Sequence, residues 1–79
     1  MTDNQIEQKT EILAPHQQRV VVEKQQLDSK LIALSKFISD SEIFEGLNAE
    51  DQCLLRKQCK LMQGYSEVLE ERIALFNKE

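Results

Sequence analysis

The chain of 79 residues has no Trp, one His, one Pro, two Gly and two Cys. Two glycines and one proline leave little material for the turns of a sheet, and no stretch reads as a strand, so the chain is one small helix-rich unit. Cys53 and Cys59 stand six apart within one predicted helix, which rotates them by roughly 240° onto different faces. They cannot pair while that helix is intact. No Cys/His spacing resembles a zinc site, and His16 lies far along the chain from both thiols. Both read as reduced, small packing residues of a cytosolic protein. Long apolar runs and a basic start are also missing: the opening Met1-Thr2-Asp3-Asn4-Gln5-Ile6-Glu7 predicts neither secretion nor membrane spanning. An excess of positive charge is missing too. Ten Lys and Arg against fourteen Asp and Glu give a formal net charge of -4. That argues against a general DNA or RNA coat, which needs many phosphate-neutralising cations, yet leaves room for a small anion held by a few focused ones. Finally, there is no glycine-rich phosphate loop, no Ser or Cys nucleophile near a histidine and no metal-ligand set, so neither catalysis nor a cofactor is expected.

What is present is helical periodicity. Residues 1–14 are polar and acidic, with Ile6, Ile12 and Leu13 as anchors, and read as a mobile, disordered tail or one short helix. Residues 15–79 form the domain proper. Pro15 suits a first helical position, and the pattern runs as a helix to about Ser39, with an apolar stripe of Val20, Leu27, Leu31, Leu34 and Ile38 that Lys24 interrupts. Asp40 to Leu47 reads as a loop whose Ile43 and Phe44 plug the end of a helical hairpin. Asn48 offers a cap, with Glu50 and Asp51 in the first turn of a second helix from Ala49 to Phe76.

That second helix carries two adjacent stripes, Leu55, Cys59, Met62, Leu69, Ile73 and Phe76 on one, Leu54, Leu61, Tyr65, Val68 and Leu75 on the next. One facing helix cannot cover so wide an arc. With Val21 and Ile32 also off the seam, the excess predicts contact with other copies of the chain. Size points the same way, since below about 70 to 80 residues a single core rarely supplies more than ~3 to 5 kcal/mol.

Two charged groupings border these stripes. His16, Arg19, Glu23 and Lys30 fall within about 60° of one another beside the first seam. Tyr65, Leu69, Arg72 and Phe76 follow at intervals of four, three and four. A planar, permanently charged arginine between an aromatic and an apolar neighbour suits phosphate recognition. The plainer readings are an Arg19–Glu23 pair one turn apart, and an Arg72 that snorkels or pairs with Glu67 or Glu71. The trio Arg56, Lys57 and Lys60 reads as a solvated face.

Pro15-His16-Gln17-Gln18-Arg19-Val20 with Glu23, then Leu27-Asp28 and Lys30-Leu31, then Leu55, Gln58, Met62, Tyr65, Leu69, Arg72-Ile73 and Phe76, resemble the small phage family called anti-CBASS protein two, over roughly residues 13 to 76. The resemblance implies an all-α fold, an antiparallel helical hairpin assembling into a compact homohexamer. It also implies a non-catalytic sponge that holds cyclic dinucleotides such as cyclic GMP-AMP intact between protomers, in the host bacterial cytosol. Some members of that family also hold cyclic trinucleotides at separate sites. Lys30 and Arg72 match the family's phosphate-binding lysine and arginine, Arg19 is a further contact, and His16 and Phe76 are candidates for the bases. The chain departs from the family near the start of the first long helix, where only Pro15 and His16 stand in place of an aromatic. The alternative is a helical adaptor that engages a host protein through the apolar arc. A third reading, a small nucleic-acid-binding protein, conflicts with the charge balance.

Overall fold

The computed structural model describes residues 13–76. They form three helices, α1 (Pro15–Asp40), α2 (Glu42–Glu45) and α3 (Ala49–Phe76), and among the described residues there is no strand. Most of the expected tail of residues 1–14, and the chain beyond Phe76, lie outside the described residues.

Local chemistry sets each boundary. Pro15 takes the first turn of α1, where its missing N–H is not needed. Gln17, a buried polar side chain, folds back so that its Oε1 accepts the Ala14 N–H at 2.9 Å. At the other end of α1 the backbone turns extended at Ser41, whose N–H still reaches the Phe37 carbonyl at 3.2 Å. The Ser41 hydroxyl then accepts the Ile43 N–H at 3.1 Å and starts the single turn of α2. Asn48 caps α3, its Oδ1 accepting the Asp51 N–H at 2.8 Å, and Glu50 and Asp51 complement the positive end of the helix dipole.

The connection is not the open loop expected of Asp40 to Leu47, because α2 occupies its centre. Of the two residues expected to plug the hairpin only Phe44 does so. It is buried while Ile43 is 70% exposed, since adjacent residues on a helical turn point about 100° apart. Phe37 meets the Phe44 ring edge-on at 5.9 Å, and the Arg56 guanidinium lies 5.1 Å from its centroid. Gln52 closes the corner, its Nε2 donating to the carbonyls of Phe44, Leu47 and Glu45 at 2.9, 3.1 and 3.3 Å.

α1 and α3 pack antiparallel. Lys24 and Asp28 of α1 meet Ser66 of α3, whereas Ser35, further along α1, meets Cys59, earlier on α3, at 3.4 Å. Val20, Leu27 and Leu69 form the core, flanked by Met62, Ile73 and Phe76. Cys53 is exposed, so the packing role expected of it does not hold, whereas Cys59 is half-buried at the seam. The molecule measures 51 × 26 × 15 Å, one layer of two helices. A layer this thin has an interior only along its seam. Among the described residues four apolar side chains are therefore buried, Val20, Leu27, Phe44 and Leu69, while the second stripe of α3 stands in the open.

Candidate functional site

Asp28–Ser66 and Ser35–Cys59 line one side of the groove between α1 and α3. Arg19 and Lys30 on α1, and Tyr65 and Arg72 on α3, are rotated from the buried stripe in the opposite sense at about 100° per residue. Because both helices are right-handed and run antiparallel, all four project from the same broad face. That face also carries Leu54, Leu61, Val68 and Leu75, each more than half exposed.

His16, Arg19, Lys30 and Arg72 are all exposed, as is Tyr65. Phe76 is half-buried and packs against the Val20, Leu27 and Leu69 core. Pairing Asp28 with Ser66 puts Arg19 and Arg72 within about one turn of each other near the open end of the hairpin. Lys30 lies roughly 12 Å further along the axis, at about 1.5 Å per residue, level with Tyr65. The structure thus brings Arg19 and Arg72 together and sets Lys30 apart on the same face.

Among the described residues none of these cations pairs with an acid. Among the described residues the one ion pair joins Lys24 to Asp28 at 2.8 Å. The Arg19–Glu23 and Arg72–Glu67 or Glu71 pairs of the plainer readings do not form. Arg19 borders a shallow hollow of about 390 Å³ lined by Pro15, Gln18, Val22, Glu23 and Gln26. Tyr65 borders a second, of about 480 Å³, with Leu54, Lys57, Gln58, Leu61 and Met62. Both are open, and neither includes Lys30 or Arg72. In a single chain these residues make an exposed cationic and apolar face, without walls to enclose a ligand.

A polar triangle of Lys24, Asp28 and Ser66 ties α1 to α3 on the other side of the groove. Lys24 interrupts the apolar stripe because its Nζ donates to Asp28 Oδ2 at 2.8 Å and to Ser66 Oγ at 3.1 Å, while the Ser66 hydroxyl donates to Asp28 Oδ1. Hydrogen bonds from Lys24, then from Ser66, hold the Asp28 carboxyl below the usual carboxylate range. The bond to Asp28 raises the Lys24 ammonium above its ordinary value. The four-residue spacing of Lys24 and Asp28 was a visible signal, but Ser66 lies 38 residues away with no local sign of the contact.

Among the described residues no three or more His, Cys, Asp or Glu side chains gather as a metal site, and no helix is long and apolar enough to cross a membrane. The sequence model of the Sequestin family matches residues 14–75. A protein of Enterobacteria phage T4, described as an uncharacterized 7.5 kDa protein in the denB-rIIB intergenic region, is 44% identical over 61 residues, which cover 77% of this chain and 94% of that protein. No solved structure matches the chain.

Proposed function

This chain belongs to the Sequestin family, and from that premise we propose that it is a non-catalytic phage sponge of the anti-CBASS type, which binds cyclic dinucleotides in the host cytosol and withholds them from the receptors of bacterial antiphage immunity. The family name is that of a sequestering protein, and the T4 protein supports a phage origin. The observation that carries the ligand class is the set of three cations, Arg19, Lys30 and Arg72, with no ion pair among the described residues, on one face beside the exposed Tyr65 ring.

A cyclic dinucleotide presents two phosphodiester charges and two flat bases. Arginine suits such phosphates because its planar fork can donate two hydrogen bonds while its face stacks, and lysine adds a compact charge. Lys30 and Arg72 are assigned to the phosphates, Arg19 to a supporting contact, and His16 to a base. Phe76, packed against the core, would act on a base only through its exposed edge. The open face of one chain needs further walls, and other copies of the same chain, up to the hexamer, would supply them. Cyclic trinucleotides would require a separate site in that assembly.

Ligand that binds the folded state alone stabilises it by mass action, so cyclic GMP-AMP at about one hundred times its dissociation constant adds roughly 2.7 kcal/mol and raises the melting temperature. A melting temperature indifferent to a panel of cyclic di- and trinucleotides would reject the sponge. The exposed apolar stripe of α3 would then favour a helical adaptor for a host protein.

A further inference from the structure

Both long helices repeat their apolar seam every seven residues. On α1, Val20, Leu27 and Leu34 stand seven apart, and on α3 so do Leu55, Met62, Leu69 and Phe76. The series alongside includes one charged residue on α1, Lys24 before Leu31 and Ile38, and one hydroxyl on α3, Ser66 between Cys59 and Ile73. The two exceptions meet. Lys24 Nζ donates to Ser66 Oγ at 3.1 Å, and the Ser66 hydroxyl donates to Asp28 Oδ1. Apolar burial is non-directional, so sliding one helix along the other by seven residues, roughly 10.5 Å, again sets apolar side chains against apolar ones. The polar contact does not repeat.

We propose that Lys24, Asp28 and Ser66 are positioning residues of the ligand face, which select one axial register from those the apolar seam accepts and so hold Arg19 beside Arg72 and Lys30 level with Tyr65. Ser66 is buried, and a slide by seven residues in either direction puts Ile73 or Cys59 in its place opposite Asp28. Ile73 has no hydrogen-bonding side chain and a thiol is only a weak donor, so Lys24 and Asp28, both half-buried, each lose a partner. The same slide carries Arg72 roughly 10.5 Å along α1 and breaks up the pattern of cations. The α2 corner opposes it from the closed end. Asp28 stands thirteen residues before Ser41, roughly 20 Å nearer the open end, where Arg19 and Arg72 lie.

Stability alone does not account for the triangle. Lys24 sits in line with Leu31 and Ile38, where an apolar side chain would extend the stripe, and a polar set of this kind is frequently no more stable than apolar residues in its place. Its best-attested use is registry, as when a single polar residue sets the register of a coiled coil. The triangle lies on the opposite side of the groove from Arg19, Lys30 and Arg72, so it acts on a ligand only through the helices. The effect on binding rests on the sponge reading, whereas the effect on register does not.

The test replaces the whole triangle in the full chain, Lys24→Leu, Asp28→Ala and Ser66→Ala together, which removes one charge of each sign. Register is read without nucleotide, as the distance between spin labels attached through Ala33→Cys and Ala74→Cys, both at exposed positions. Cys53→Ser and Cys59→Ala form the common background, and labelled chain is diluted in unlabelled chain so that the distance is intrachain. Affinity is read by calorimetry with cyclic GMP-AMP. The triple variant should melt no more than about 5 °C below the wild type. It should nonetheless show a second label distance, from a slide of about 10 Å along the axis, and bind at least about tenfold more weakly. Kept stability with lost affinity is a split that a merely structural role would not produce. A melt further below the wild type, a single label distance equal to the wild type's, or wild-type affinity in the variant would overturn the proposal. A wild type that binds no cyclic nucleotide would reject the sponge reading, and the label distances would still decide whether the triangle sets the register.

Discussion

Ser66 of α3 donates its hydroxyl proton to Oδ1 of Asp28 on α1, a bond that fixes the register of the hairpin from residues 38 positions apart. Lys24 closes the triangle from one turn earlier on α1. Ser66 is buried, so Ser66→Ala deletes the interhelical link and leaves Asp28 a donor short. Chemical denaturation should show a loss of about 1 kcal/mol, the usual net worth of such a bond. A variant as stable as the wild type would show that the apolar seam sets the register unaided.

Acid should loosen the same link. The folded state holds the Asp28 carboxyl below its unfolded range of about 3.9. The stability it contributes is therefore present above pH about 4 and is lost as pH falls through the lower folded value. For Lys24 the folded value is raised, so its contribution is present below about pH 10.4 and is lost as pH climbs past the folded value. Thermal melts from pH 2 to 7 should show a shallower acid decline in Asp28→Asn than in the wild type. Parallel curves would place the acid sensitivity elsewhere.

At the closed end, Phe44 and Ile43 are neighbours with opposite fates. Phe44→Ala empties the corner held by Phe37, Arg56 and Gln52 and should cost about 3 kcal/mol, whereas Ile43→Ala should change stability by less than about 0.5 kcal/mol. Urea midpoints read both. Equal losses would mean that Ile43 is covered in the assembled protein.

Much of this was legible in the sequence because it rests on short-range rules. Pro15 and Asn48 mark the true helix starts, and the two stripes of α3 separate into a covered one and an exposed one, as their rotation about the axis requires. The features that short-range rules do not show depend on partners far along the chain. Lys24 is an interruption in a pattern until Ser66 is opposite it. Gln52 looks like one more polar residue until three carbonyls of the α2 turn point at it. Residue type alone favours packing for Cys53 and Ile43, but the side of the helix on which a residue falls decides its burial, and both are exposed. Of the candidate site, the sequence supplied the residue types and the side of its own helix on which each grouping falls; that the two helices turn those sides toward one broad face follows from the antiparallel hairpin. That Lys30 stands apart from Arg19 and Arg72 needed the hairpin register.

Among those cations Lys30 gives the cleanest test, since it is exposed, has no ion-pair partner among the described residues and lies off the α3 seam. Lys30→Ala should weaken binding of cyclic GMP-AMP at least about tenfold, or ~1.4 kcal/mol, with helix content and assembly unchanged. Unaltered affinity would remove Lys30 from the site.

The central claim is most directly tested by calorimetric titration of the purified protein with cyclic GMP-AMP, followed by heat release and chromatography of the bound nucleotide. The account predicts saturable, tight binding, about one nucleotide for every two chains, and recovery of the nucleotide unchanged. No heat across cyclic di- and trinucleotides, or recovery of a cleaved product, would contradict it.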